Sequence, residues 1–105
     1  MKGKNDVYVF GDGSGFKVRP AVASAARKKL FWVRNCTNCA IDLIFPQGLL
    51  AAAAASWTIK KKKNRSFKFS TSADGVYEYE VHVTPAPGYT VSAVGESGPR
   101  IIVDP

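Results

Sequence analysis

The sequence predicts an all-β sandwich of about seven or eight strands, and three observations predict it. Short runs of β-forming residues alternate apolar with polar side chains. Clusters of Gly, Pro, Asn and Asp punctuate those runs. Almost nothing in the chain reads as helix. A small barrel such as an OB-fold is the alternative architecture.

The elements follow in order. Val7-Tyr8-Val9-Phe10 is rich in β-formers and stops at the turn cluster Gly11-Asp12-Gly13-Ser14-Gly15. Phe16 to Arg19 alternates and meets Pro20. The alanines of Ala21 to Ala26 favour helix, yet Val22, Ser24 and Ala26 alternate, and the stretch is read as extended. Leu30 to Arg34 is a strand with Phe31 and Val33 on one face, and Ile41 to Phe45 is another, ended by Pro46-Gln47-Gly48. Leu49 to Ser56, with five consecutive alanines, reads as a single helical turn or a covering loop.

Trp57-Thr58-Ile59 and Ser66 to Ser70 alternate around a basic turn, Lys60 to Lys63 with Asn64. Phe67 and Phe69 take the inward parity. Asp74-Gly75 is a tight-turn signal. The clearest strand is Tyr77 to Val83. Tyr77, Tyr79, Val81 and Val83 share one face, and Glu78, Glu80 and His82 share the other. Pro85-Ala86-Pro87-Gly88 is expected to break it, and Ile101-Ile102-Val103 supplies the last strand.

A length of 105 residues fits one domain, 1–105. Such a domain buries roughly 65% of the surface its unfolded chain exposes, enough for a two-layer core. No apolar run reaches the roughly 18–20 residues of a membrane-spanning helix. The start, Met1 to Asp6, has no long apolar stretch behind it and does not read as a signal peptide. The compartment expected is the cytoplasm, or the periplasm or exterior if a leader was removed. The net charge of +7 favours anionic partners and also serves solubility.

The order of elements resembles the cupredoxin family from Val18 onward. Its anchors are Phe31-Trp32-Val33-Arg34-Asn35, Ile41-Asp42-Leu43-Ile44-Phe45-Pro46, Gly75-Val76-Tyr77-Glu78-Tyr79-Glu80-Val81 and Ile101-Ile102-Val103. The ending Pro99-Arg100-Ile101-Ile102-Val103-Asp104-Pro105 also looks like that of uncharacterised bacterial cupredoxin-like domains. The resemblance implies a Greek-key β-sandwich. In the family, a blue-copper centre uses two imidazoles, one thiolate and a weak axial thioether. The matching positions for the first imidazole, the thiolate and the second imidazole hold Ala40 or Ile41, Val81 and Thr84. No His or Met follows His82. The resemblance thus implies the fold without a type 1 copper site, with no metal and no cofactor expected.

Three function classes follow. The first is a non-enzymatic cupredoxin-like binding or structural module. The second is a nucleic-acid or polyanion binder that uses a basic β-hairpin over 57–69. There Lys60, Lys61, Lys62, Lys63, Arg65 and Lys68 interleave with Trp57, Phe67 and Phe69. Lysines on an exposed edge also block aggregation, which is the plainer account of them. The third is thiol redox or Cu(I)/Zn handling through Cys36-Thr37-Asn38-Cys39, in a turn between strands. Structural zinc needs four ligands, and the chain has no second Cys pair. His82 beside Glu78 and Glu80 reads as a surface histidine. No phosphate loop, acidic metal cluster or Gly-x-Ser-x-Gly is present, and no enzymatic activity is expected. Asn35-Cys36-Thr37 and Asn64-Arg65-Ser66 match the glycosylation pattern.

Overall fold

A computed structural model describes residues 6–11, 15–52, 56–86, 89–92 and 99–104. The described residues are all-β, in eleven strand segments. These are β1 (Asp6–Gly11), β2 (Phe16–Arg19), β3 (Val22–Ala26), β4 (Leu30–Asn35), β5 (Ala40–Ile44), β6 (Ser56–Ile59), β7 (Asn64–Lys68), β8 (Gly75–Glu78), β9 (Glu80–Ala86), β10 (Tyr89–Ser92) and β11 (Arg100–Asp104). They form a four-stranded sheet β2-β1-β4-β7, a second four-stranded sheet β10-β9-β5-β6 and a three-stranded sheet β3-β11-β8.

Alternation accounts for the core. Val7 and Val9 of β1, Phe31 and Val33 of β4 and Phe67 of β7 point inward from the first sheet. Ile41, Leu43, Val81, Val83 and Ile59 do so from the second. Ala23, Ala25, Ile101 and Val103 do so from the third. All belong to one buried cluster, an arrangement consistent with a β-sandwich. Phe31 lies at its centre, with its ring 5.9–6.4 Å from those of Phe45, Phe67, Phe69 and Tyr79.

The strand count exceeds seven or eight for identifiable reasons. The run from Phe16 to Ala26 pairs with β1 before Pro20 and with β11 after Ala21, so it serves two sheets. The run from Gly75 divides at Tyr79: β8 pairs with β11, whereas β9 pairs with β5. Pro85 does not end β9, which runs to Ala86 and pairs back with β10. The pairing of β9 with β5 stops at Thr84, so Pro85 owes that partner no hydrogen bond. The alternating run Tyr89-Thr90-Val91-Ser92, which is not among the expected strands, supplies β10.

Residues 49–52 form no helical turn. Leu49 is fully buried, Leu50 bridges Phe69, and the Ala51 N–H donates to the Lys68 carbonyl at 2.9 Å, so the segment covers the end of β7. Ala53 to Ala55, Asp12 to Ser14 and Pro87-Gly88 lie outside the described residues. Gly75 opens β8 at φ 94°, a conformation that favours glycine, as the Asp74-Gly75 turn signal requires. No helix among the described residues is long and apolar enough to cross a membrane.

Candidate functional site: the basic turn and the cysteine loop

The segment 57–69 is not a hairpin. β6 pairs with β5 in the second sheet, and β7 pairs with β4 in the first. Lys60 to Lys63 therefore form a corner that carries the chain from one sheet to the other. The inward residues follow that pairing: Ile59 sits beside Ile41 of β5 and Phe67 beside Phe31 of β4, and all four are buried in the common core. The Lys63 N–H donates to the Lys60 carbonyl at 3.1 Å, and Lys62 takes φ 59°.

Asn35, at the end of β4, secures this corner although it is 1% exposed. Its Nδ2 lies 2.8 Å from the Cys39 carbonyl and 3.1 Å from the Ile59 and Lys60 carbonyls, to which it donates. Its Oδ1 accepts from the Thr37 N–H at 3.0 Å. The Thr37 hydroxyl lies 2.6 Å from that oxygen and 2.9 Å from the Cys39 carbonyl, and it accepts from the Cys39 N–H at 3.1 Å. The Asn35 N–H donates to the Lys63 carbonyl at 3.0 Å, and Lys62 Nζ donates to the Cys36 carbonyl at 3.0 Å. The cysteine loop and the lysine corner are thus one hydrogen-bonded unit. Buried in this way, Asn35 is closed to glycosylation in the folded chain, whereas Asn64 is exposed.

Of the six basic residues singled out in the sequence, Lys68 lies apart from the lysine corner. Lys60, Lys61, Lys62 and Lys63 are exposed together at the corner. Arg65 has the parity of Phe67 and stacks its guanidinium 4.4 Å over the Trp57 ring, closing the edge between sheets. Lys68 points to the opposite face of β7 at its far end, across from Leu30. Trp57 and Phe67 meet edge to face at 5.6 Å, so both contribute to packing.

Cys36 is exposed and Cys39 half-buried, both as free thiols. They line a cleft of about 320 Å³ with Gly11, Phe16, Thr37 and Asn38. No group of three or more His, Cys, Asp or Glu that could hold a metal ion occurs among the described residues. Ala40 pairs with Thr84, which brings the cysteine loop beside the end of β9.

No protein-family model matches this sequence, and no curated protein matches it either. Ile41 and Val81 are fully buried in the core, where their alkyl side chains supply no donor. His82 lies on the outer face of the second sheet, opposite Asp42 and with Nε2 3.0 Å from Glu80 Oε1. A second cleft, about 400 Å³, is lined by Ile44, Phe45, Pro46, Glu78, Tyr79 and Glu80. Asn35 and Thr37 are the residues that patterning undervalued. The sequence offers Asn35 as the polar end of an apolar strand and as a glycosylation pattern, but not as a hydrogen-bonding hub, since its partners lie up to 25 residues away.

Proposed function

We propose that this chain is a non-enzymatic binding or structural module built on a cupredoxin-like Greek-key sandwich that lacks a type 1 copper centre. Three features of the topology support the fold. β4 and β7 are neighbours, although β5 and β6 between them belong to another sheet. β1 pairs in parallel with β4, and β3 pairs in parallel with β11, within a fold otherwise antiparallel. The chain also changes sheet within the run Phe16 to Ala26.

The observation that carries the functional reading is chemical. The positions where the family would place its two imidazoles and its thiolate hold Ala40 or Ile41, Thr84 and Val81; none carries an imidazole or a thiolate, and Ile41 and Val81 are alkyl groups buried in the core. A scaffold filled there with hydrocarbon gains stability from the site rather than a redox centre. The test is copper(II) addition followed by visible spectroscopy. The expected outcome is only weak ligand-field absorption. An intense thiolate-to-copper charge-transfer band would refute the reading.

A second reading, polyanion binding at the lysine corner, has its own support. Lys60 to Lys63 are exposed together on a turn that Asn35 holds in one shape. Four cations on a backbone held in one shape attract phosphate or sulfate groups.

A further inference from the structure

Charge is segregated between the sheets. Among the described residues, Asp42, Glu78, Glu80 and Asp104 lie on strands of the second and third sheets, and Asp74 lies just before β8. The first sheet, β2-β1-β4-β7, holds one acid, Asp6, which is buried and accepts from Arg34 Nε at 3.0 Å. Its outer face presents Lys17, Arg19, Arg34 and Lys68, four cations against that one carboxylate.

Aromatic rings interleave with these cations. Alternation turns Phe10 and Trp32 outward, since their neighbours Val9, Phe31 and Val33 face the core. Both rings are partly exposed. Arg19 sits 5.8 Å over the Phe10 ring, and Arg34 sits 5.3 Å over Trp32. The parallel register pairs Asp6 with Trp32 and Val9 with Asn35. Phe10 and Trp32 are therefore offset by four residues along adjacent strands, about 14 Å at ordinary strand spacings.

We infer that the outer face of the first sheet is a binding platform for single-stranded nucleic acid, separate from the Lys60–Lys63 corner. Phe10 and Trp32 stack bases, while Lys17, Arg19 and Lys68 neutralise phosphates and Arg34, paired with Asp6, steadies the Trp32 ring. A four-stranded sheet that offers partly exposed aromatic rings and cations on one face suits unpaired bases, whose π-faces are free. A duplex hides those faces, and a sulfated polysaccharide has none, so both use the charge alone. The separation of the two rings calls for an extended strand of several nucleotides.

The test is fluorescence anisotropy of a labelled oligothymidylate of about 12 nucleotides with the full chain, over a salt series. Expected are binding at low salt and a loss of about ten-fold or more in Trp32→Leu, matching one lost base stack. The double variant Lys17→Gln, Arg19→Gln should flatten the salt dependence by roughly two counterions. Unlabelled single strand should compete better than heparin or a duplex of equal length. The inference is overturned if no binding occurs at low salt. It is also overturned if heparin and duplex compete equally while Trp32→Leu binds as the parent does. Should Trp32→Leu fail to fold, backbone amide shifts of the unaltered protein decide the matter. Shifts along β1, β2 and β4 support the platform, and shifts confined to Lys60–Lys63 or to the second sheet overturn it.

Discussion

Asn35 shows how one buried amide can organise a surface. Its side chain meets three carbonyls and one backbone N–H drawn from the cysteine loop and the lysine corner. Asn35→Ala leaves those groups short of partners, and a stability loss of about 2–4 kcal/mol is expected in urea denaturation. Tyr79 is the opposite case. Its hydroxyl is buried with no hydrogen-bond partner among the described residues, and burial pushes the phenol well above its usual range. The unfolded chain ionises at an ordinary tyrosine pKa near 10, whereas the folded chain keeps its proton. Stability contributed by Tyr79 is therefore present below about pH 10 and is lost as pH climbs beyond it. Tyr79→Phe should cost less than about 1 kcal/mol at neutral pH, because it removes an unsatisfied group. It should also reduce the alkaline fall in the urea midpoint. An undiminished fall in the variant would place the titration elsewhere.

At the scale of elements, the lysine corner joins two sheets where local patterning suggested a hairpin. Replacing Lys60, Lys61, Lys62 and Lys63 together with glutamine tests its polyanion reading. Such exposed positions should change stability by no more than about 0.5 kcal/mol each. Lys62 adds a bond to the Cys36 carbonyl and a left-handed backbone, so it is the one with most to lose. If the corner binds polyanions, heparin affinity should fall steeply with salt and drop further in the variant. Affinity unchanged by both would discard that reading. The run from Gly75 to Ala86 carries a similar lesson. It alternates without interruption through Tyr79, yet its pairing partner changes there from β11 to β5.

Across the whole molecule, the chain passes between sheets at Pro20, over 27–29, in the cysteine loop, at the lysine corner, over 69–74 and around Tyr79. No sheet can detach without breaking the common core, so unfolding should be one cooperative transition. Far-UV circular dichroism and tryptophan fluorescence in urea should give superimposable curves. Separated curves would mean that the sheets unfold independently. The radius of gyration, 13.0 Å, matches the roughly 13 Å expected of a folded chain this long. The same architecture divides the charge, gathering cations on the first sheet and carboxylates on the others.

Period-two alternation determined the all-β class and most of the core, because the inward face of a strand is written in its own residues. Phe31 and Val33, Ile41 and Leu43, Phe67 and Phe69, and Val81 and Val83 were all legible in this way, and all are buried. That Ala40, Ile41, Val81 and Thr84 carry no imidazole or thiolate was equally plain, since a side chain's donor atoms do not depend on the fold. Pairing partners were not legible, because hydrogen bonding between strands depends on residues distant in the chain. That is why 57–69 resembled a hairpin, and why Lys68 was grouped with a corner it does not share. The platform of Phe10, Trp32, Arg19 and Arg34 is likewise absent from any local window. Parallel pairing of β1 with β4 assembles it, and only tertiary structure creates that juxtaposition.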